Sequence, residues 1–284
     1  MTGIGEANTT VAEPRLAASV ILIRDAAHPP DPVDPADPAA LAGPAHPAAL
    51  AGPAHPAALA GPAHPADLAG PAHPAGPAHP AGRGLEVFVQ HRVSTMDFAA
   101  GMVVFPGGRV DQADSAGWDF TDDIVEQHAA AWHRSSIAAE PSLARHNAGR
   151  VLAAAQREVF EEAGLKLDAA TLRPWANWVT PEDQPKRFDT YFYVACPASG
   201  AEPQHQTTEA SSSQWMPVRG ILDAEAAGTL KLMPPTLALL DELLTLGAVE
   251  AVLAERRDIV PVRPKPGALE EFFRLRRQPP SVAP

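Results

Sequence analysis

The chain has 284 residues, of which 45% are hydrophobic, so it is long enough to bury a sizeable core. Its formal net charge of −12, without any stripe rich in Lys and Arg, argues against a protein whose main task is to grip nucleic acid through the phosphates. An acidic chain can still act on a phosphorylated small molecule, but it then needs cations to bridge the like charges.

The sequence predicts one soluble domain between two flexible tails. The first residues are small and polar, no stretch is long and apolar enough to span a bilayer, and the single Cys196 cannot form an internal disulfide. We therefore expect a soluble cytoplasmic protein with neither a membrane nor a nucleic-acid partner. The predicted organisation is a flexible tail over 1–13, a single domain over 14–267 and a second tail over 268–284.

Two buried strands are predicted on either side of a low-complexity segment. Arg15–Asp25 (RLAASVILIRD) and Leu85–Arg92 (LEVFVQHR) have strand-like apolar patterns. Residues 27–83 hold fifteen of the 32 prolines and six of the 11 histidines, largely in copies of LAGPAHPAA. Proline at this density forbids helix and sheet, which predicts a disordered loop inserted in the domain. The spaced histidines could gather a transition metal, but an inert repeat is favoured over that alternative.

The remaining elements follow from apolar periodicity and from turn residues. Gly164 stands in the position of a helix C-cap after the second predicted helix. In chain order we predict a strand at Met102–Phe105, helices at Asp119–His133 and Asn147–Ala163, strands at Leu172–Thr180, Asp189–Cys196 and Gln214–Pro217, and helices at Pro235–Leu246 and Ala248–Arg256.

The second of these helices presents three carboxylates on one face. Glu158, Glu161 and Glu162 are separated by three and four residues, so they lie together on the helix surface, where they would repel one another. A solvated acidic face is the alternative for such a pattern. Clustered carboxylates are, however, the hard oxygen ligands that Mg²⁺ or Mn²⁺ accepts, so the spacing favours a divalent metal site.

The surroundings of these glutamates resemble a known motif. Residues 157–165 (REVFEEAGL) are similar to the second half of a Nudix box, and residues 105–108 (FPGG) resemble its opening. Between them, Asp114 stands where the family expects Glu, and an inserted helical segment over 115–147 splits the box. An interrupted box resembles the branch of the family that contains peroxisomal acyl-CoA diphosphatases, as do the stretches WVTP (178–181), RFDT (187–190) and LMPPT (232–236).

The resemblance implies a fold and a set of residue roles. The implied fold is α/β, a Nudix fold in which an α/β/α sandwich surrounds a mixed β-sheet, here with the helical insertion and the repeat loop. Glu158, Glu161, Glu162 and the carbonyl of Gly107 would bind Mg²⁺ or Mn²⁺, while Arg157 would orient the glutamates. The remaining candidates are Glu158 or Glu209 as general base, and Gly108 and Arg187 as substrate-binding residues.

The resemblance also implies a reaction, with alternatives for the substrate. A metal-dependent diphosphatase would hydrolyse a small-molecule, nucleoside-diphosphate-linked substrate, with coenzyme A or an acyl-CoA giving 3',5'-ADP and a phosphopantetheine product. A nucleotide sugar or a dinucleotide is the alternative substrate, because the box holds only the diphosphate that all of them share. A catalytically silent nucleotide-binding module is the alternative of another class.

Overall fold

The fold is built on one mixed sheet, described here from a computed structural model over residues 11–26, 84–93, 99–115 and 117–276. The predicted repeat loop lies outside these residues. The strands are β1 (Arg15–Asp25), β2 (Leu85–Arg92), β3 (Val103–Val104), β4 (Gly107–Arg109), β5 (Arg173–Val179), β6 (Phe188–Ala195) and β7 (Ala210–Pro217). The helices are α1 (Asp122–Ala131), α2 (Ala144–Ala163), α3 (Val218–Ala226), α4 (Pro234–Leu246), α5 (Val249–Ala254) and α6 (Ala268–Arg276).

Strand β1 is the centre of the sheet. It pairs in parallel with β6 and antiparallel with β2 near Ile23 and with β4 near Ala18, and the main order is β3-β2-β1-β6-β5 with β7 on β2. Alternate residues of β1 enter two different cores. Val20 packs with α1 and α2 on one face, while Ile21 packs with α3 and α4 on the other. The predicted α/β/α sandwich around a mixed sheet is therefore confirmed.

Several element boundaries differ from the predicted ones. Helix α2 begins at Ala144, inside the predicted insertion, and Arg145 of its first turn pairs with Asp122 and Glu126 of α1. Strand β7 begins at Ala210 rather than Gln214, because pairing with β2 extends along its polar first half. The segment predicted as a tail over 268–284 begins with α6, where Phe272 is buried in the core. Among the described helices, none is long and apolar enough to cross a bilayer.

Candidate active site

Helix α2 carries the three glutamates to the edge of the sheet layer. Its apolar side, which includes Leu152 and Val159, is fully buried against the sheet. The carboxyl-bearing side chains differ in exposure, from 6% for Glu162 through 13% for Glu158 to 56% for Glu161. Gly164 ends the helix in a left-handed conformation at φ 64°, as the sequence predicts. The helix therefore presents a gradient from a buried carboxylate to an exposed one.

Two glycines allow the opening of the motif to approach these carboxylates. Strand β4 pairs with β1, and the Gly107 N–H donates to Glu162 Oε2 at 2.9 Å. Gly107 has φ 155°, and a Cβ atom there would collide with the backbone of Ala18. A Cβ atom on Gly108 would collide with the carboxylate of Glu158. The two halves of the split motif thus meet in space, with glycine required where they touch.

Arg157 joins the halves through its guanidinium. Nε and Nη2 each donate to the Asp114 carboxylate at 2.9 Å, and Nη2 also donates to the Arg109 carbonyl at 2.9 Å. Nη1 donates to Glu158 at 2.9 Å and to Glu161 at 3.2 Å. The hydrogen bond with Asp114 raises the pKa of the guanidinium further above its usual range, so Arg157 stays charged. One arginine therefore fixes the orientation of two of the three glutamates.

The site concentrates negative charge that is partly removed from water. Burial raises the pKa of Glu162 to about 7, assisted by the charges of Glu158 and Glu209 and opposed by the hydrogen bond from Gly107 and by Gln90. Burial likewise raises the pKa of Glu158 above its usual range, against the opposing effect of Arg157. A cation bound among these groups would favour their charged forms.

Oxygen donors of the right kind for a hard divalent cation are present. Glu158, Glu161 and Glu162 supply carboxylates, and Gly107 lies beside them. In the described parts of the chain, no group of three or more His, Cys, Asp or Glu side chains already encloses a metal position. Two of the carboxylates instead hydrogen-bond to Arg157. The donor set fits Mg²⁺ or Mn²⁺ in its chemistry, and binding requires the carboxylates to turn toward the ion.

The glutamates open onto a cavity of about 980 Å³. All three line it together with Gly107, Gly108 and Glu209, so the structure brings these predicted residues to one place. Its wall also contains basic and apolar side chains, among them Arg15, Arg92, Lys186, Trp178, Phe188 and Phe192. A cavity with carboxylates, cations and apolar surface is suited to a ligand that has both an anionic and an apolar part.

Comparisons with known proteins agree with this geometry. Residues 146–235 match the NUDIX domain family model. This segment of the chain is therefore similar to a Nudix domain. The matched segment includes the three glutamates and Glu209, while the glycines of β4 lie before it, beyond the inserted segment.

One relative and one solved structure are similar to this chain. A Caenorhabditis elegans protein named "Putative nudix hydrolase 7" is 28% identical over 159 residues, which are 52% of this chain and 52% of the relative, so the match spans about half the length of that protein. The crystal structure of a NUDIX hydrolase from Alicyclobacillus acidocaldarius has 21% identity and a TM-score of 0.52, covering 90% of this chain and all of that one. This second likeness shows the shared fold.

The remaining candidates also have defined places in the structure. Arg187 lines the cavity, but its Nε donates to the Thr180 carbonyl at 3.1 Å and its Nη1 to the Ala12 carbonyl at 2.6 Å. Glu209 directly precedes β7, and Arg92 Nη2 lies 3.1 Å from its carboxylate. Trp132, which directly follows helix α1, is buried in the core, and none of the described residues that line the cavity belongs to α1.

Some residues that hold the candidate side chains in place are not evident from the sequence. Arg92 lies at the end of β2 and holds Glu209, and Gln90 lies two residues earlier on the same strand beside Glu162. In the sequence Asp114 stands out only as a departure from the motif, although in the structure it is the main partner of Arg157. For Gln90, the available signal in the sequence was a polar residue within a strand that is otherwise predicted to be buried.

Proposed function

We propose that this protein is a metal-dependent diphosphatase that hydrolyses a diphosphate bond in a nucleoside-diphosphate-linked small molecule. The observation that carries the proposal is the convergence of Glu158, Glu161, Glu162 and Glu209 with the glycines of β4 on one cavity. The Nudix family model and the relatives support the reaction class. Mg²⁺ or Mn²⁺ held by Glu158, Glu161, Glu162 and the Gly107 carbonyl would neutralise the diphosphate and lower the pKa of a water molecule.

The protein's own groups have distinct tasks in this reaction. Arg157 holds Glu158 and Glu161 in orientation, and the Gly107 N–H holds Glu162. A water oxygen forms a bond to one phosphorus, the bridging P–O bond breaks, and the other phosphate leaves. The water proton passes to a carboxylate, and Glu209, held by Arg92 at the wall of the cavity, is the candidate that leaves Glu158 free to bind metal.

For the substrate, we propose coenzyme A or an acyl-CoA. The interrupted box and the stretches at 178–181, 187–190 and 232–236 support this class by resemblance, and residues from all three stretches line the cavity. The mixture of basic and apolar wall residues also suits a ligand with several phosphates and a long apolar or amide-bearing arm. Arg187 donates from Nε and Nη1 to carbonyl groups, so in this proposal a substrate phosphate accepts from its Nη2.

Product analysis over a panel of substrates tests the proposal. The protein is incubated with Mg²⁺ or Mn²⁺ and coenzyme A, an acyl-CoA, ADP-ribose, nucleotide sugars or dinucleotides, and the products are identified by mass. Release of 3',5'-ADP from coenzyme A or the acyl-CoA alone supports the proposed substrate. Turnover of nucleotide sugars or dinucleotides alone overturns the substrate but keeps the reaction. Binding without turnover of any member indicates a silent nucleotide-binding module.

A further inference from the structure

The cavity has a basic end that is displaced along β1 from the carboxylates. Gly107, whose N–H donates to Glu162, pairs with Ser19 of β1. Arg15 lies four residues earlier on the same strand, and its backbone N–H donates to the Arg187 carbonyl at 2.9 Å. Both arginines line the cavity. At about 3.3 Å per residue, the backbone at Arg15 is roughly 13 Å along the strand from the point where the carboxylates meet the sheet.

The alternation of β1 places Arg15 on the face of the sheet that lines the cavity. Arg15, Ala17 and Ser19 lie on this face, and all three line the cavity wall. On the neighbouring strand β6, Phe188 is opposite Arg15 and Phe192 is opposite Ser19, and both also line the cavity. The surface between the basic end and the carboxylates therefore consists of small and aromatic side chains, which suits a flat base or a sugar ring.

The positive charge at the basic end is not neutralised by neighbouring carboxylates. Arg92 and Arg157 also line the cavity, but each forms ion pairs with acidic residues. In the described part of the chain, the Arg15 guanidinium has no hydrogen bond or ion pair, and Arg187 has no carboxylate partner. Glu13 lines the same end of the cavity but pairs with neither arginine among the described residues. The charge of Arg15 and Arg187 is therefore available to an anion in the cavity.

The guanidinium of Arg187 is held in place by neutral groups. Its Nε donates to the Thr180 carbonyl at 3.1 Å and its Nη1 to the Ala12 carbonyl at 2.6 Å. These acceptors fix the plane of the guanidinium without cancelling its charge, so its Nη2 is a preorganised donor. Lys186, the preceding residue, also lines the cavity.

We propose that Arg15 and Arg187 form a subsite for a phosphate monoester of the substrate, separate from the diphosphate that is hydrolysed. The inference rests on the proposed diphosphatase function and narrows its substrate to nucleotides that carry a further phosphate. The two phosphorus atoms of a diphosphate share one oxygen, so the diphosphate is too short to occupy both places, which are roughly 13 Å apart along β1. A phosphate on the ribose, such as the 3'-phosphate of coenzyme A, is separated from the diphosphate by the sugar, and the long arginine side chains close the remaining gap.

A pair of substrates that differ in one phosphate tests the subsite. Dephospho-coenzyme A lacks only the 3'-phosphate, and we expect the wild type to prefer coenzyme A by about tenfold or more in kcat/KM. Arg15→Met should remove most of this preference by raising KM for coenzyme A at unchanged kcat, with unchanged kinetics for dephospho-coenzyme A. Arg15→Lys should keep part of the preference, because a cation remains. Arg219→Met, which changes an exposed arginine on α3 that does not line the cavity, is the matched control and should keep all of it.

Binding of nucleotide products gives a second measurement that needs no turnover. Isothermal titration calorimetry in the presence of Mg²⁺ should show that 3',5'-ADP binds the wild type about tenfold more tightly than 5'-AMP, and that Arg15→Met makes the two affinities nearly equal.

The outcomes distinguish the subsite from the reaction. Equal kcat/KM for coenzyme A and dephospho-coenzyme A in the wild type, or a preference that survives in Arg15→Met, overturns the subsite while leaving the diphosphatase proposal intact. Turnover restricted to diphosphates without a further phosphate has the same consequence. A wild type that hydrolyses no diphosphate overturns the proposed function, and the Arg15-dependent preference for 3',5'-ADP over 5'-AMP then decides the subsite alone.

Discussion

The inserted segment around α1 and the site on α2 pack against the same face of the sheet, but different forces hold them. Trp132 of the insertion is fully buried, lies edge-on to Tyr191 and Tyr193 at ring distances of 5.0 and 5.5 Å, and donates to the Tyr193 hydroxyl at 3.3 Å. The site is instead a group of carboxylates gathered around one arginine. The insertion therefore contributes mainly to the stability of the fold. At the site, the carboxylates lie close together despite their mutual repulsion, as expected where function rather than stability determines the residues.

The largest expected effect is the loss of activity when a site carboxylate becomes an amide. Glu161→Gln and Glu162→Gln should each lower diphosphatase kcat/KM by at least about 100-fold, because a charged metal ligand is replaced by a neutral one. The Tm should change little, since neither substitution removes apolar packing and the buried Glu162 already has a raised pKa. Steady-state kinetics and thermal unfolding measure the two quantities.

The control for this prediction is Glu250→Gln, which changes an exposed glutamate on α5. It should retain wild-type kinetics. Full activity in both Glu161→Gln and Glu162→Gln would exclude α2 as the site. Both α2 and the insertion would then contribute to the fold alone.

The second effect is an acid sensitivity that belongs to the insertion. Burial lowers the pKa of His128 from 6.5 to about 4, and its Nδ1 has no hydrogen-bond partner in the described structure. Between these two pH values the unfolded chain binds more protons than the folded one, so stability present above pH 6.5 is lost as the pH falls toward 4. The loss amounts to at most roughly 3 kcal/mol in the free energy of unfolding.

Denaturant unfolding at a series of pH values measures this dependence. His128→Phe should flatten the curve between pH 4 and 6.5, whereas the exposed His133→Phe should retain the wild-type slope. Parallel curves for the wild type and His128→Phe would mean that protonation of His128 does not limit the stability of the insertion.

The local sequence pattern predicts most of the elements, but it does not predict the contacts that join them. The sequence predicts β1 and β2 to the residue, and it predicts the C-cap of α2 at Gly164, because burial and backbone conformation leave a direct trace in residue type. The pairing of Asp114 with Arg157 spans 43 residues and depends on how the insertion folds back. No periodicity in the sequence records such a contact.

The third effect tests the residue that links the two regions. Asp114→Asn removes the charge from the main partner of Arg157, so Arg157 should hold Glu158 and Glu161 less firmly. We expect a loss of about 1–2 kcal/mol in the free energy of unfolding and a fall of about tenfold in kcat. Asp123→Asn, an exposed change on α1, is the control and should alter neither. A change in stability alone would show that Asp114 belongs with the insertion rather than with the site.

The smallest effect is expected from the largest change in the chain, deletion of residues 39–82. Strands β1 and β2 are neighbours where this segment leaves and re-enters the sheet, with Asp25 opposite Leu85 and a hydrogen bond of 3.0 Å from the Ala26 N–H to the Gly84 carbonyl. After the deletion, residues 27–38 and 83 still join these ends, and shortening a connection between adjacent strand ends changes closure entropy only slightly. The deleted protein should keep wild-type kcat, KM and Tm within about twofold and a few degrees. A large loss of diphosphatase activity at unchanged Tm would instead assign the repeat a role at the site. The repeat, rather than the insertion around α1, would then be the segment that contributes to catalysis.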